Sequence, residues 1–378
     1  MKTLPVVLAA AMLAFGLCAS IGAQDRVGEI TYLENDLAVM RNNRALDPGE
    51  VEIGMEVQNL DLLKTGRTGY AELNLDSPRS AVIKVSPGTT FYLERGAVGK
   101  GQRTTVGAIT GNIAVKVQKL AANQQVQVAS ESALMGVRGT TFEVTLSPAG
   151  DLLVTCSEGE VVCRQEDGEE VSSVPGAAVD SRAGEGFQRV PVAVSDLERF
   201  RQDWYAERLE VFKANPLKAI RFYALRYAGL RERFNRAYAA LARERQLLNK
   251  WYDEDRRGRV GGNMEILREK KRLIGYLLEL RKVLFFFERV YFRLSELQDY
   301  YRQGYGEGTL EGGLTSRAFF QALDRDRSVL ERQMAEVRYV TKLYAKRNQG
   351  VFPTERSEEG EGEFFGDEEL VDSEDSDF

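Results

Sequence analysis

The 378-residue chain contains no histidine, only three cysteines, and only nine prolines. Without an imidazole, Ser-His-Asp and Cys-His nucleophile arrangements, His-ligated zinc and a histidine switch near neutral pH are all excluded. Chemistry, if there is any, falls to carboxylates or lysine, and no cofactor or metal is expected. A bilayer crossing needs about 20 apolar residues, and no segment supplies them. The nearest approach is Leu4 to Leu17, which follows Lys2 and precedes the small residues Ala19, Ser20, Gly22 and Ala23. That order is the grammar of a secretory signal peptide cleaved after Ala23, and it predicts a periplasmic or secreted protein. A lipid anchor on Cys18 is disfavoured, because Leu17 stands where a lipoprotein peptidase takes Gly, Ala or Ser.

What is present is length, with 43% hydrophobic residues. Since one core rarely outgrows about 250 to 300 residues, at least two modules are expected. The formal charge of −6 hides a segregation by region. Residues 24–195 carry −7, residues 196–352 carry +11, and residues 353–378 carry −11. The expected division is a signal peptide (1–23), an all-β domain (24–194), a helical arm (195–352) and a disordered acidic tail (353–378).

Short alternating runs mark the first block as β structure, for example Ala71 to Leu75, Ile113 to Val117, Val126 to Ala129 and Phe142 to Thr145. Turn signals separate them, among them Pro48-Gly49, Pro87-Gly88, Thr110-Gly111 and Pro175-Gly176. A sandwich or solenoid-like domain is the expected fold. Cys156 and Cys163 flank the turn-like Ser157-Glu158-Gly159-Glu160. They read either as a disulfide across two hairpin arms or as two small buried strand residues.

The order of landmarks resembles the FecR domain, an exported all-β module of bacterial envelope and signalling proteins. The matching pieces are Gly28-Glu29-Ile30, Leu63-Lys64-Thr65-Gly66, Gly69 to Leu73, Gly111 to Val115, Val137-Arg138-Gly139-Thr140-Thr141-Phe142-Glu143-Val144, Glu158 to Val161 and Pro175-Gly176-Ala177. The resemblance covers residues 28–190. It implies binding and signalling roles and carries over no catalytic residues. Arg138, Gly139 and Thr140 become candidate interaction residues, against a plain structural role in which the glycine allows a tight bend and the arginine pairs with a carboxylate. FecR-type sigma regulators place a cytoplasmic segment and a membrane helix before this domain. Here a signal peptide stands there instead, so direct contact with a sigma factor is not carried over.

Beyond Pro191 the periodicity becomes helical. Ser195 to Glu198 fits a capping box, Asn215-Pro216 marks an end and a new start, and a second helix is expected to run to Tyr252. A third, from Asn263 to Arg302, repeats Ile266, Leu273, Leu280, Phe287, Leu294 and Tyr301 every seven residues. Ile220, Tyr227, Phe234, Leu241 and Leu248 supply one partner stripe. Leu323, Leu330, Val337 and Tyr344, on a helix from Thr315 to Arg347, supply another. An antiparallel bundle or coiled-coil arm follows. The run Val283 to Tyr291 is apolar around more than one face and needs three or more helices, or a partner surface, to cover it. Arg231, Arg236 and Arg243 belong to an arginine-rich face, read either as a grip for anionic polymers or as a solvated surface.

These features organise contacts, which favours a non-enzymatic envelope protein whose β domain binds an envelope protein or an anionic glycan, carried on a helical assembly or spacer arm. The alternative is a periplasmic sensor or relay of envelope signalling that acts through a membrane-spanning partner. A carboxylate enzyme such as a glycosidase is the third class, although no motif marks its acid pair. Nucleic acid does not suit an exported chain. Peripheral membrane contact and self-association through the arm remain open, and the tail of −11 is expected to associate with the arm of +11.

Overall fold

A computed structural model describes residues 25–76, 81–98, 101–118, 123–165, 168–183, 185–350 and 352–353. The expected signal peptide, with Cys18, and nearly all of the acidic tail lie outside the described residues. Strands come first, then helices, as the change of periodicity implies.

The strands are β1 (Arg26–Glu34), β2 (Leu37–Arg41), β3 (Arg44–Ala45), β4 (Glu56–Gln58), β5 (Leu62–Thr65), β6 (Tyr70–Leu75), β7 (Ala81–Val85) and β8 (Thr90–Val98). They continue as β9 (Gly101–Val117), β10 (Gln124–Ala129), β11 (Leu134–Leu146), β12 (Leu152–Arg164), β13 (Glu170–Ser173), β14 (Ala177–Ser181) and β15 (Phe187–Pro191). Alternation decides which face is buried. In β6, for instance, Ala71, Leu73 and Leu75 are buried while Asn74 meets solvent.

Two pairing series share three long strands. One runs β3-β2-β5-β8 to the first half of β9, then through β10 and the first half of β11 to the second half of β12 and β13. The other runs β15-β14 to the first half of β12, then through the second halves of β11 and β9 to β7, β6, β1 and β4. Each shared strand changes partners at a glycine with positive φ: Gly111 (85°), Gly139 (61°) and Gly159 (84°). A Cβ on Gly159 would lie 2.5 Å from the Gly139 carbonyl oxygen, and one on Gly111 would lie 2.3 Å from Thr89 Oγ1. Both positions therefore require glycine for space as well as for dihedral angle. Ile83, Val115, Val144 and Val154 of one series bury in the same cluster as Leu63, Phe91, Val128 and Met135 of the other. Thr110-Gly111 and Ser157 to Glu160, expected to be turns, are crossings inside continuous strands.

Five helices follow: α1 (Leu197–Ala214), α2 (Pro216–Ala242), α3 (Arg245–Arg256), α4 (Asn263–Arg302) and α5 (Ser316–Lys346). The Ser195 capping box does not form. A 3₁₀ turn, Val194–Asp196, precedes α1, and Glu198 is taken by Arg201 and Gln202. Pro216 occupies the first turn of α2, and Thr315 caps α5 by accepting from Ala318 N at 3.2 Å. The helix expected to reach Tyr252 breaks after Ala242, where i→i+3 bonds from Arg243 and Glu244 tighten the backbone and start α3 on a new line.

Of the stripe residues, Leu273, Leu280, Phe287 and Leu294 on α4 are buried, as are all of the partner residues expected on α2, α3 and α5. Phe234 and Phe287 stack with ring centroids 4.6 Å apart. α4 runs antiparallel to α2–α3 and to α5, as Lys250–Glu269 pairs with Tyr227–Phe287 on one side and Tyr301–Phe320 with Lys270–Asn348 on the other. Instead of projecting as an arm, the helices lie on the β region. Leu62, Tyr92, Ile109 and Ala129 belong to the same buried cluster as Val283, Phe286, Phe287 and Val290. The apolar run that outgrew a helical seam is covered by the chain's own strands. Among the described residues, no helix is long and apolar enough to cross a membrane.

Candidate functional site

The junction between strands and helices concentrates buried charge. Two arginines of α4 lie within the all-round apolar band, and burying them requires that their donors be satisfied. Arg289, fully buried, donates to the Phe285 carbonyl at 2.9 Å and the Ala129 carbonyl at 3.1 Å. Its guanidinium also sits 3.6 Å from the Phe285 ring centroid. Arg293 donates to the Ser147 carbonyl at 2.6 Å and to Glu296 at 2.7 Å. Ala129 ends β10 and Ser147 follows the end of β11, so each guanidinium takes up a carbonyl at a strand end, that of Ser147 shared with Gly150 N at 3.1 Å.

Around this centre the same chemistry repeats. Lys342 of α5 donates to Gln58 at 2.6 Å and to Asn42 at 3.1 Å. Tyr223 donates to Glu131 at 3.2 Å, and Arg226 pairs with the same carboxylate. On α1, Trp204 Nε1 donates to Asp180 at 3.1 Å, and Arg201 pairs with Glu143 at 3.1 Å. Glu288 and Arg338 form a buried ion pair between α4 and α5. Burial raises the Glu288 carboxyl above its ordinary range even against Arg338, and burial lowers the Lys342 amine. Between Asn42, Asp61, Arg338 and Lys342 lies a cavity of about 10 Å³, space for about one water molecule. The junction can hold two structures in register.

The residues singled out in the sequence do not converge on one site. Gly139 and Thr140 lie in the irregular stretch of β11 opposite Gly159, between the Arg138–Glu160 and Thr141–Glu158 backbone pairs. Thr140 is fully buried, and its hydroxyl has no hydrogen-bond partner among the described residues. This geometry gives Gly139 and Thr140 a structural role at a strand crossing. Arg231 faces α5, paired with Asp326 and lying over the Tyr227 ring. Arg236 is five residues on, about 140° around the helix, exposed, with Glu232 at 3.9 Å. Arg243 is exposed at the end of α2.

Cys156 and Cys163 are free and buried. They occupy one strand, β12, on either side of its crossing, so the expected pair of hairpin arms is corrected. Burial pushes the Cys163 thiol up to about 12, which leaves it protonated and unreactive at neutral pH. Arg289, Arg293, Arg338, Lys342 and Glu131, which build the junction, were not singled out. The available signal was Glu288-Arg289 and Arg293 standing inside an otherwise apolar run, since a charge there must have a partner brought by another element.

The arrangement defines a class by its build: a β-rich body with helices locked across it. Residues 61–162, within the β region, match the family model described as FecR protein. No curated protein matches the chain. Among solved structures, the chain is similar to two crystal structures of a candidate anti-sigma factor from Parabacteroides distasonis ATCC 8503, at 1.65 and 2.50 Å resolution. For each the identity is 12%, with a TM-score of 0.31, covering 37% of this chain and 64% of the other. The chain thus spans less than two thirds of the length of these structures.

Proposed function

We propose that this chain is a non-enzymatic, exported component of envelope signalling. Its FecR-type β region takes a protein partner, and the helices docked on it pass that event to a membrane-spanning protein. The observation that carries the reading is the match of residues 61–162 to the FecR family, a module of envelope signalling. The sealed junction supports it, because Arg289 and Arg293 tie α4 to the ends of β10 and β11. A movement of the β region then has to move the helices. Within this reading the two pairing series face each other as a sandwich around their common core, and α2, α4 and α5 pack in coiled-coil fashion along their heptad stripes. A free spacer arm does not fit helices sealed along the β region.

The test is site-specific photo-crosslinking in living cells from Ile53 and Tyr32, exposed on the β region at 58% and 45%. A protein partner of the β region should be captured, and capture should persist in Arg289→Met/Arg293→Met while the downstream response is lost. Capture of envelope polysaccharide alone, or a response that survives the double substitution, would overturn the reading.

A further inference from the structure

The connection between α3 and α4, with the first turns of α4, forms a second feature of the helical body. Val260, Met264 and Leu267 are 43%, 67% and 58% exposed there. Met264, Leu267, Arg268 and Lys271 follow the three-, four- and seven-residue spacing that puts side chains on one outward helix face. Arg257, Arg259, Arg268 and Lys271 are exposed around the apolar centre, and none has an ion-pair partner among the described residues. The acids of the same segment are engaged elsewhere: Asp253 by Arg256, Glu254 by Arg347, Asp255 by Lys346, and Glu265 and Glu269 by Lys250. The positive end of α4 adds to the surplus.

A face that is apolar at its centre and cationic at its rim fits an acidic peptide with apolar residues set into it. Residues 354–378 have that composition, twelve Asp and Glu against Arg356, with Phe364-Phe365 and Leu370-Val371 among them. The segment departs from Pro353, beside Phe352, which packs on Tyr344 at 5.4 Å and lies 5.0 Å from the Arg281 guanidinium. From Arg281 to Arg268 along α4 is about 20 Å at 1.5 Å per residue. The stretch from Pro353 to Phe364 can span about 36 Å, so reach does not limit the contact.

We propose that residues 354–378 dock on the α3–α4 tip, with Phe364-Phe365 against Met264 and Leu267 and the acidic residues against Arg257, Arg259, Arg268 and Lys271. Tethering supplies an effective concentration on the order of millimolar, so individually weak contacts suffice. An external acidic partner then reaches the tip only by displacing this segment.

In the full chain, Leu267→Cys and Phe365→Cys would be bridged with a short bismaleimide. The control pair is Val211→Cys, 59% exposed on α1 beside Glu207 and Glu210, with Phe365→Cys. Cys156 and Cys163 are buried and do not compete, and Cys18 is replaced by serine in every variant. Bridging from position 267 should be roughly tenfold faster than from 211. It should fall to the control rate in Arg268→Glu/Lys271→Glu and in about 0.5 M salt. Equal rates at the two positions, or a rate that charge reversal leaves unchanged, overturn the proposal. A chain ended at Pro353 should also bind polyglutamate about tenfold more tightly than the full chain, through the uncovered cations. Equal binding of polyglutamate, or of phosphatidylglycerol vesicles, by both forms would mean that the segment does not occupy the tip.

Discussion

Glu336 of α5 is buried and accepts hydrogen bonds from Tyr238, Arg245 and Tyr252. Burial pushes its carboxyl up, but these donors outweigh burial and leave it below its ordinary value of 4.5. A lowered carboxylate contributes stability above the unfolded-state value and loses it as pH falls through the folded one. Glu336→Gln should therefore cost about 2 kcal/mol at pH 7, and the gap from wild type should close as pH falls below 4.5. Urea unfolding at both pH values measures this, and a gap that widens on acidification contradicts it. Gly159 gives a prediction of a different kind. A side chain there meets both a left-handed φ and the Gly139 carbonyl, so Gly159→Ala should lose about 2 to 3 kcal/mol in the same unfolding measurement. A substitution within 0.5 kcal/mol of neutral, the ordinary range for surface positions, would mean that the crossing relaxes. The sequence marked Gly139 and Gly159 as places of unusual backbone, because glycine before or between β runs announces a bend. It did not announce the partners of Arg289 and Arg293, since Ala129 and Ser147 contribute carbonyls and a carbonyl leaves no trace in residue type.

At the level of elements, local signals reported direction changes but not their kind. Thr110-Gly111 and Ser157 to Glu160 read as reversals, yet each is a bend within a continuous strand, because partners far away in sequence hold both halves of the strand. The boundaries of α4 and α5 were legible, since seven-residue repeats are long enough to average out local exceptions. The break between α2 and α3 contains neither glycine nor proline, so nothing at Arg243-Glu244 signalled it. The heptad stripe itself predicts a contrast. Phe287, fully buried and stacked on Phe234, should cost about 3 to 5 kcal/mol when replaced by alanine. Leu267→Ala on the exposed face of the same helix should stay within about 0.5 kcal/mol. Thermal unfolding of the two variants separates them, and similar losses would place α4 in another rotation about its axis.

For the whole molecule, the segregation into strands and helices suggested two independent cores, whereas one cluster takes side chains from both. Residues 24–194 and 195–353, expressed as separate chains in one cell, should copurify, because each alone leaves Tyr92 and Ile109, or Phe286 and Val290, uncovered. Two soluble, non-associating fragments would show that the junction is dispensable. The same junction determines how the longest element transmits force. α4 has 40 residues, about 60 Å, and among the described residues strands grip it between Arg281 and Arg293, a stretch centred past its midpoint. The molecule is thus a lever with an off-centre fulcrum. A 5° tilt at Arg289, roughly 37 Å from Met264 at 1.5 Å per residue, swings that end, and α3 paired to it, by about 3 Å, so small strains among the strands are read out magnified at the opposite extremity.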